Sequence, residues 1–282
     1  MSPVPVHSGT FAWGDYQLAY ETYGDVAGVP CVLVHGLLLD SLVNRDLAYR
    51  FAAEGYRVVL LDLLGHGRSD KPTDPREHRV EFHGAQVLAL MDHLGFERAL
   101  IGGVSLGAMS TLHVASIAPQ RCLGLFIEMP VMEWSTTFAA ILFVPLIGAV
   151  DFAKPVFRRF ARFLRRLPRP RYDPLASVMN ALSAEPEVIR AVLHGLLVGP
   201  VVPPAKVRRS MTMPALVIGH GGDKLHELSD AQSLADEMPN ARLLKARSIL
   251  ELRWNPRRLW PEIAAFLAEV REQARPELKR AG

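Results

Sequence analysis

The sequence predicts an α/β fold: a mostly parallel central sheet covered by helices on both faces. Three observations carry this expectation. Short apolar runs rich in Val, Leu and Ile recur along the chain, as strands buried on both faces require. Runs of helical length alternate with them. One apolar run, residues 98–102, passes through Gly103-Val104-Ser105-Leu106-Gly107 into a helix-like run over 108–118. A strand, a Gly-x-Ser-x-Gly turn and a helix make a sharp, strained elbow, and its small residues let the Ser oxygen stand above the sheet edge.

The elements follow in order. Residues 16–22 read as an early strand, and Val32-Leu33-Val34-His35 as a short buried strand ended by Gly36. Residues 40–54 read as a helix stopped by Gly55. Residues 57–62 form a buried strand that runs into a Gly-rich loop over 63–70. A helix over 80–94 ends at Gly95, and the elbow strand and helix follow, stopped by Pro119. Strands are expected at 123–128, 214–219 and 241–246, and a helix at 228–238. The last element is a helix over 256–273 with Pro256 in its first turn. Sheets of this kind bind ligands at the carboxyl ends of their strands. His35, Asp62, Ser105, Glu128 and Asp223 all fall at or just past such ends.

Residues 130–210 break the alternation. The stretch is helix-like, rich in Phe and Arg and punctuated by prolines, so it reads as a helical cap inserted between two sheet strands. The core domain is then 1–129 together with 211–282.

At 282 residues and 49% hydrophobic, one large domain with an insertion fits better than two independent ones. The net charge of +3 does not by itself imply nucleic-acid binding. Cys31 and Cys122 each begin a buried strand and act there as small hydrophobes, with no disulfide framework or metal-ligand spacing. The first residues lack the charged and apolar regions of a signal peptide. The longest apolar run, 138–150, is interrupted by Pro145 and is too short to span a bilayer. A cytoplasmic protein is the default expectation.

Over nearly its whole length the chain resembles the α/β-hydrolase superfamily. His35-Gly36 after a strand, Asp62-x-x-Gly65-His66-Gly67-x-Ser69, the Ser105 elbow, and Asp223 after the strand ending at Gly219 carry the resemblance. It implies Ser105 as nucleophile and Asp223 as the acid that orients a base. It also implies the backbone N–H groups of Leu37 and Leu106 as an oxyanion hole, worth about 3 kcal/mol per donor. Leu37, Leu38 and Leu39 would line an apolar pocket mouth. No cofactor or metal is implied. His35 is expected to support the oxyanion loop and His66 to stiffen its turn.

The chain departs from the family where the catalytic His belongs. That His normally follows the last strand, and anchoring on Pro256 puts it near Ser248 or Ile249. No His follows His226. A Ser hydroxyl is a poor nucleophile until a base takes its proton, and loss of such a His alone costs about 10⁶ in kcat. His226, three residues after Asp223, is the best substitute; the alternative is that it only lines its loop. His220 ranks lower, as a packing residue. His113 belongs to helix packing, and the facing of His194 is open. Glu128 reads as a polar anchor for the cap or an alternative acid. Glu251, near the vacated position, could act as a weak base, but a salt bridge with Arg253 or Arg247 is the expectation.

Residues 152–171 read as a basic amphipathic helix, with Phe, Val and Leu at helical spacing among eight cations. Its apolar face is expected to cover the pocket while its arginines are solvated. The alternative is a surface for anionic lipid, an acidic partner or a coenzyme A phosphate. The implied function is a serine hydrolase acting on an ester or thioester with an apolar acyl or ring group. The competing reading is a non-hydrolytic relative that binds an apolar ligand or a partner.

Overall fold

Eight strands form one sheet in the order β1-β2-β4-β3-β5-β6-β7-β8. The computed structural model describes residues 7–222 and 224–281. The strands are β1 (His7–Trp13), β2 (Tyr16–Tyr23), β3 (Val29–Val34), β4 (Tyr56–Leu61), β5 (Ala99–Val104), β6 (Cys122–Glu128), β7 (Ala215–His220) and β8 (Ala241–Ala246). The β1–β2 and β2–β4 pairings are antiparallel, and the other five are parallel.

Successive strand residues point to opposite faces, and the core divides accordingly. Val32, Val34, Ile101 and Val217 pack on one face with helices α2 (Val80–His93), α3 (Leu106–Ile117) and α9 (Leu228–Glu237). Leu33, Leu60, Phe126 and Ile218 pack on the other with α1 (Arg45–Ala53) and α11 (Trp260–Ala281). Cys31 and Cys122 are buried free thiols, and burial pushes the Cys122 thiol up to about 12.

Between β6 and β7 lie helices α4 (Glu133–Phe152), α5 (Lys154–Arg166), α6 (Asp173–Leu182), α7 (Pro186–Leu196) and the short α8 (Ala205–Arg208). The short α10 (Glu251–Trp254) follows β8.

Several expectations are corrected. Strand β1 has no counterpart in the sequence reading, because it is an edge strand with only Phe11 buried and so lacks an apolar run. The 40–54 helix is two elements: a 3₁₀ turn, Ser41–Asn44, capped by the Asp40 side chain, and then α1. The terminal helix likewise starts with a 3₁₀ turn, Pro256–Arg258. Pro145 does not interrupt α4, which runs twenty residues. Its stretch Ser135–Phe152 is long and apolar enough to cross a membrane by length and composition. A strict apolar run misses this because Ser135, Thr136, Thr137 and Asp151 bound the run without ending the helix. The basic segment is also not one helix, since the chain turns at Ala153 between α4 and α5.

Candidate active site

Ser105 sits between β5 and α3 with φ 54° and ψ −110°, a conformation that costs a non-glycine residue about 1–3 kcal/mol. The elbow holds it there: its N–H donates to Glu128 O at 2.9 Å, and its carbonyl accepts from Met109 N at 3.0 Å. Gly107 is required by space, because a Cβ there would lie 2.3 Å from Val34 O. Leu38 and Met129, also with positive φ, stand on the loops facing Ser105.

His226 lies on the loop between β7 and α9, and its Nε2 is 2.9 Å from Ser105 Oγ. The loop is tied to the start of α4. Glu227 N–H donates to Ser135 Oγ at 3.2 Å. The buried Asp230 carboxylate accepts from Met132 N at 2.8 Å and from Ser135 N at 3.1 Å. An anion at a helix N-terminus also meets the favourable end of the helix dipole. Asp230 was missed in the sequence because nothing marks a first-turn Asp of α9 as buried. Asp223 lies outside the described residues.

Leu37 follows the turn at Gly36, and Leu106 opens α3, where the first-turn N–H groups have no intrahelical partner. No hydrogen bond among the described residues takes up the Leu37 N–H. His35 braces this loop. Its Nε2 accepts from Leu63 N at 3.1 Å, so Nδ1 carries the proton and donates to Gly36 O at 2.8 Å. His66 Nδ1 bonds Leu64 O at 3.0 Å across its own turn. Neither ring faces Ser105.

His220 contacts Met129 Sδ at 3.1 Å and is buried beside His226 without reaching the serine. His113 Nε2 bonds Val201 O at 3.2 Å, and His194 is exposed on α7.

Glu128 does not anchor the helices after β6. It pairs with Arg253, at 2.7 and 2.9 Å, and both side chains are buried. Glu251 pairs with Arg258 at 2.7 Å and accepts the Arg247 N–H, so only the backbone of Arg247 is engaged and Arg253 is committed elsewhere. The Arg258 guanidinium lowers the Glu251 carboxyl below its ordinary range.

Ser105 and His226 open into a cavity of about 290 Å³. Its walls include Leu37, Leu38, Met109, Phe143, Leu193 and Leu196; among the described residues only Ser105, Thr136 and His226 bring polar side chains to it. Ile249, at the position where the resemblance places the family's His, lines the same cavity. No residue of α5 does, which corrects the expectation that its apolar face covers the pocket. Helix α5 packs instead through buried Ala161 and half-buried Phe157 and Leu164, with Arg158 and Arg165 pairing to Glu187 and Glu185 at an exposed edge, while Phe160 and Phe163 turn outward.

A family model described as the alpha/beta hydrolase fold matches residues 29–245. The chain belongs to that family. As an α/β hydrolase fold protein it is similar to Lipase 1 of Psychrobacter immobilis, at 31% identity over 48% of this chain and 41% of that protein. It is also similar to 3-oxoadipate enol-lactonase 2 of Acinetobacter baylyi, at 30% identity over 42% of this chain and 43% of that protein. The chain thus spans less than half the length of these relatives. The crystal structure of a hydrolase from Pseudomonas aeruginosa superposes with a TM-score of 0.73 at 22% identity, covering 93% of this chain and 98% of that one. That likeness concerns the fold.

Proposed function

We propose that this α/β hydrolase fold protein cleaves a carboxylic ester or thioester bearing an apolar acyl or ring group. The observation that carries the reading is the 2.9 Å approach of His226 Nε2 to Ser105 Oγ at the end of an apolar cavity. With its proton on Nδ1, His226 accepts the Ser105 hydroxyl proton as Oγ bonds the carbonyl carbon. The negative charge moves to the carbonyl oxygen, where the Leu37 and Leu106 N–H groups are the donors. His226 returns the proton to the departing alcohol or thiol, and the carbon–leaving group bond breaks. In the second half His226 takes a proton from water, the hydroxide attacks the acyl-enzyme, and Ser105 leaves as the alcohol. Asp223, three residues before His226, is the acid that holds the imidazole in the required tautomer.

The cavity favours an uncharged acyl group, since among the described residues no charged Asp, Glu, Lys or Arg side chain lines it. A charged acyl group would lose its hydration there without a partner.

The deciding experiment is labelling by a fluorophosphonate probe in the intact chain, Ser105→Ala and His226→Ala. Labelling that requires both residues supports the reading. Labelling lost only in Ser105→Ala transfers the base role to another group. A folded intact chain that does not label sinks the acyl-enzyme mechanism and favours a non-hydrolytic ligand-binding protein.

A further inference from the structure

Helix α4 is apolar on two sides. Its inner side, with Ala139, Phe143 and Leu146, walls the cavity beside Ser105. Its outer side carries Ile141, Val144, Gly148 and Phe152, which share one helical stripe, and Ile141, Val144 and Phe152 are exposed. Phe152 is 93% exposed. After the turn at Ala153 the outward face continues on α5 with Val156, Phe160 and Phe163, at i, i+4 and i+7, all exposed. Beside this stripe run Arg159, Arg162 and Arg166. With Phe163 they surround a shallow concavity. None of the three has a carboxylate partner among the described residues, whereas Arg158 and Arg165 do. Soluble surfaces rarely keep so continuous an apolar patch, and here it is edged by these three arginines.

We infer that the outer face of α4 and α5 docks on an anionic lipid bilayer, with the aromatic and aliphatic side chains in the acyl boundary and Arg159, Arg162 and Arg166 on the headgroup phosphates. Phe and Val interleaved with arginine on one helix face is the pattern of a helix lying in a membrane interface. An acidic protein surface would match the arginines but leave Phe152, Val156 and Ile141 in water. Helix α4 lies on the bilayer rather than across it, because its inner side walls the cavity and its N-terminus is held by Asp230. The same helix then meets the bilayer on one side and the cavity on the other, a short path for an apolar substrate dissolved in lipid.

The test uses the full-length Ser105→Ala chain and vesicles of phosphatidylcholine, with or without phosphatidylglycerol, in flotation assays at low and high salt. Ser105→Ala removes turnover, so docking is read independently of catalysis, and a failed fluorophosphonate experiment leaves the docking result standing. Binding is expected only with phosphatidylglycerol present, and it should weaken as salt screens the arginines. Each basic residue near an anionic surface is worth about fivefold in partitioning, so Arg159→Gln, Arg162→Gln and Arg166→Gln together should cost on the order of a hundredfold. Phe152→Ser with Phe163→Ser should weaken binding at every salt concentration. Thermal unfolding checks that these surface variants remain folded, and the salt response of the unsubstituted surface stands even if one does not. No binding by a folded chain overturns the inference, as does equal binding to phosphatidylcholine alone. Binding that responds to the arginines but not to the phenylalanines, and that polyglutamate abolishes, overturns it in favour of an acidic macromolecule.

Discussion

Arg253 reaches from α10 to Glu128 at the end of β6 and donates two hydrogen bonds to its carboxylate, at 2.9 and 2.7 Å. The same guanidinium bonds Val43 O at 3.0 Å and Asn44 Oδ1 at 2.9 Å. The carbonyl of Glu128 in turn receives the Ser105 N–H, so the ion pair braces the strand end that holds the elbow. Removing one partner of a buried pair leaves an uncompensated charge, at a cost of about 3–5 kcal/mol. Arg253→Met should therefore lower the Tm by on the order of 10 °C. Adding Glu128→Gln should recover a large part of that loss. A double variant no more stable than the single one would show that the pair is not the cause.

Stability should fall on mild acidification. Burial lowers the imidazoles of His66, His78, His83 and His113, and for His83 it does so to about 3. Neighbouring histidines add to the effect at His66 and His83. Each stays neutral in the native state while the unfolded chain protonates near pH 6.5. Below that pH the unfolded state binds more protons, so unfolding becomes easier as pH falls, by about 1.4 kcal/mol per pH unit for each fully shifted histidine. Above pH 7 the contribution is constant. Denaturant unfolding at pH 7.5, 6.5 and 5.5 should show a midpoint that drops only over the acid interval, and His83→Asn should flatten the drop. A midpoint independent of pH across that interval would contradict the burial of these rings.

Much of the sheet and the elbow was legible because their causes are local. Period-2 apolar runs divide between two faces whatever their partners, and Gly103 and Gly107 are demanded by the close approach of Gly107 and Val34 backbone. Pairings across long sequence distances were less legible. His226 meets Ser105 across 121 residues, and only its spacing from Asp223 singled it out. Glu128 meets Arg253 across 125 residues, and nothing in the sequence separates that partner from several nearby arginines. The period of α5 marked it as two-sided but not which side is inner: Ala161 is buried and Phe157 and Leu164 half-buried, while Arg158 and Arg165 pair with Glu187 and Glu185 at an exposed edge, and only the neighbouring elements decide this. Glu251 differs from expectation for a similar reason: Arg258, seven residues on, donates two hydrogen bonds to it, while Arg253 is committed to Glu128.

Ser105 and His226 should act as one unit. On the proposed mechanism Ser105→Ala and His226→Ala each lower kcat on a short-chain acyl ester by about 10⁴–10⁶, and the double variant is no worse than the more damaged single. Single-turnover kinetics with a p-nitrophenyl ester measures this. Losses that multiply in the double variant would mean that the two side chains contribute separately, contrary to their 2.9 Å contact.

The cavity predicts a chain-length preference. Each methylene moved from water to its walls is worth about 0.8 kcal/mol, so kcat/KM should rise roughly threefold to fourfold per added CH₂ until the 290 Å³ is filled, then stop rising. Phe143 lies on the wall contributed by α4. Phe143→Ala enlarges the cavity there and should move the optimum to longer or branched acyl groups while lowering the rate on short ones. It removes a buried aromatic ring, so it should also cost about 3 kcal/mol in stability. A series of linear acyl esters assayed with both forms, together with their thermal midpoints, separates the effects: general destabilisation lowers all rates alike, and a changed cavity reorders them. An unchanged order would mean that the acyl group does not occupy this cavity.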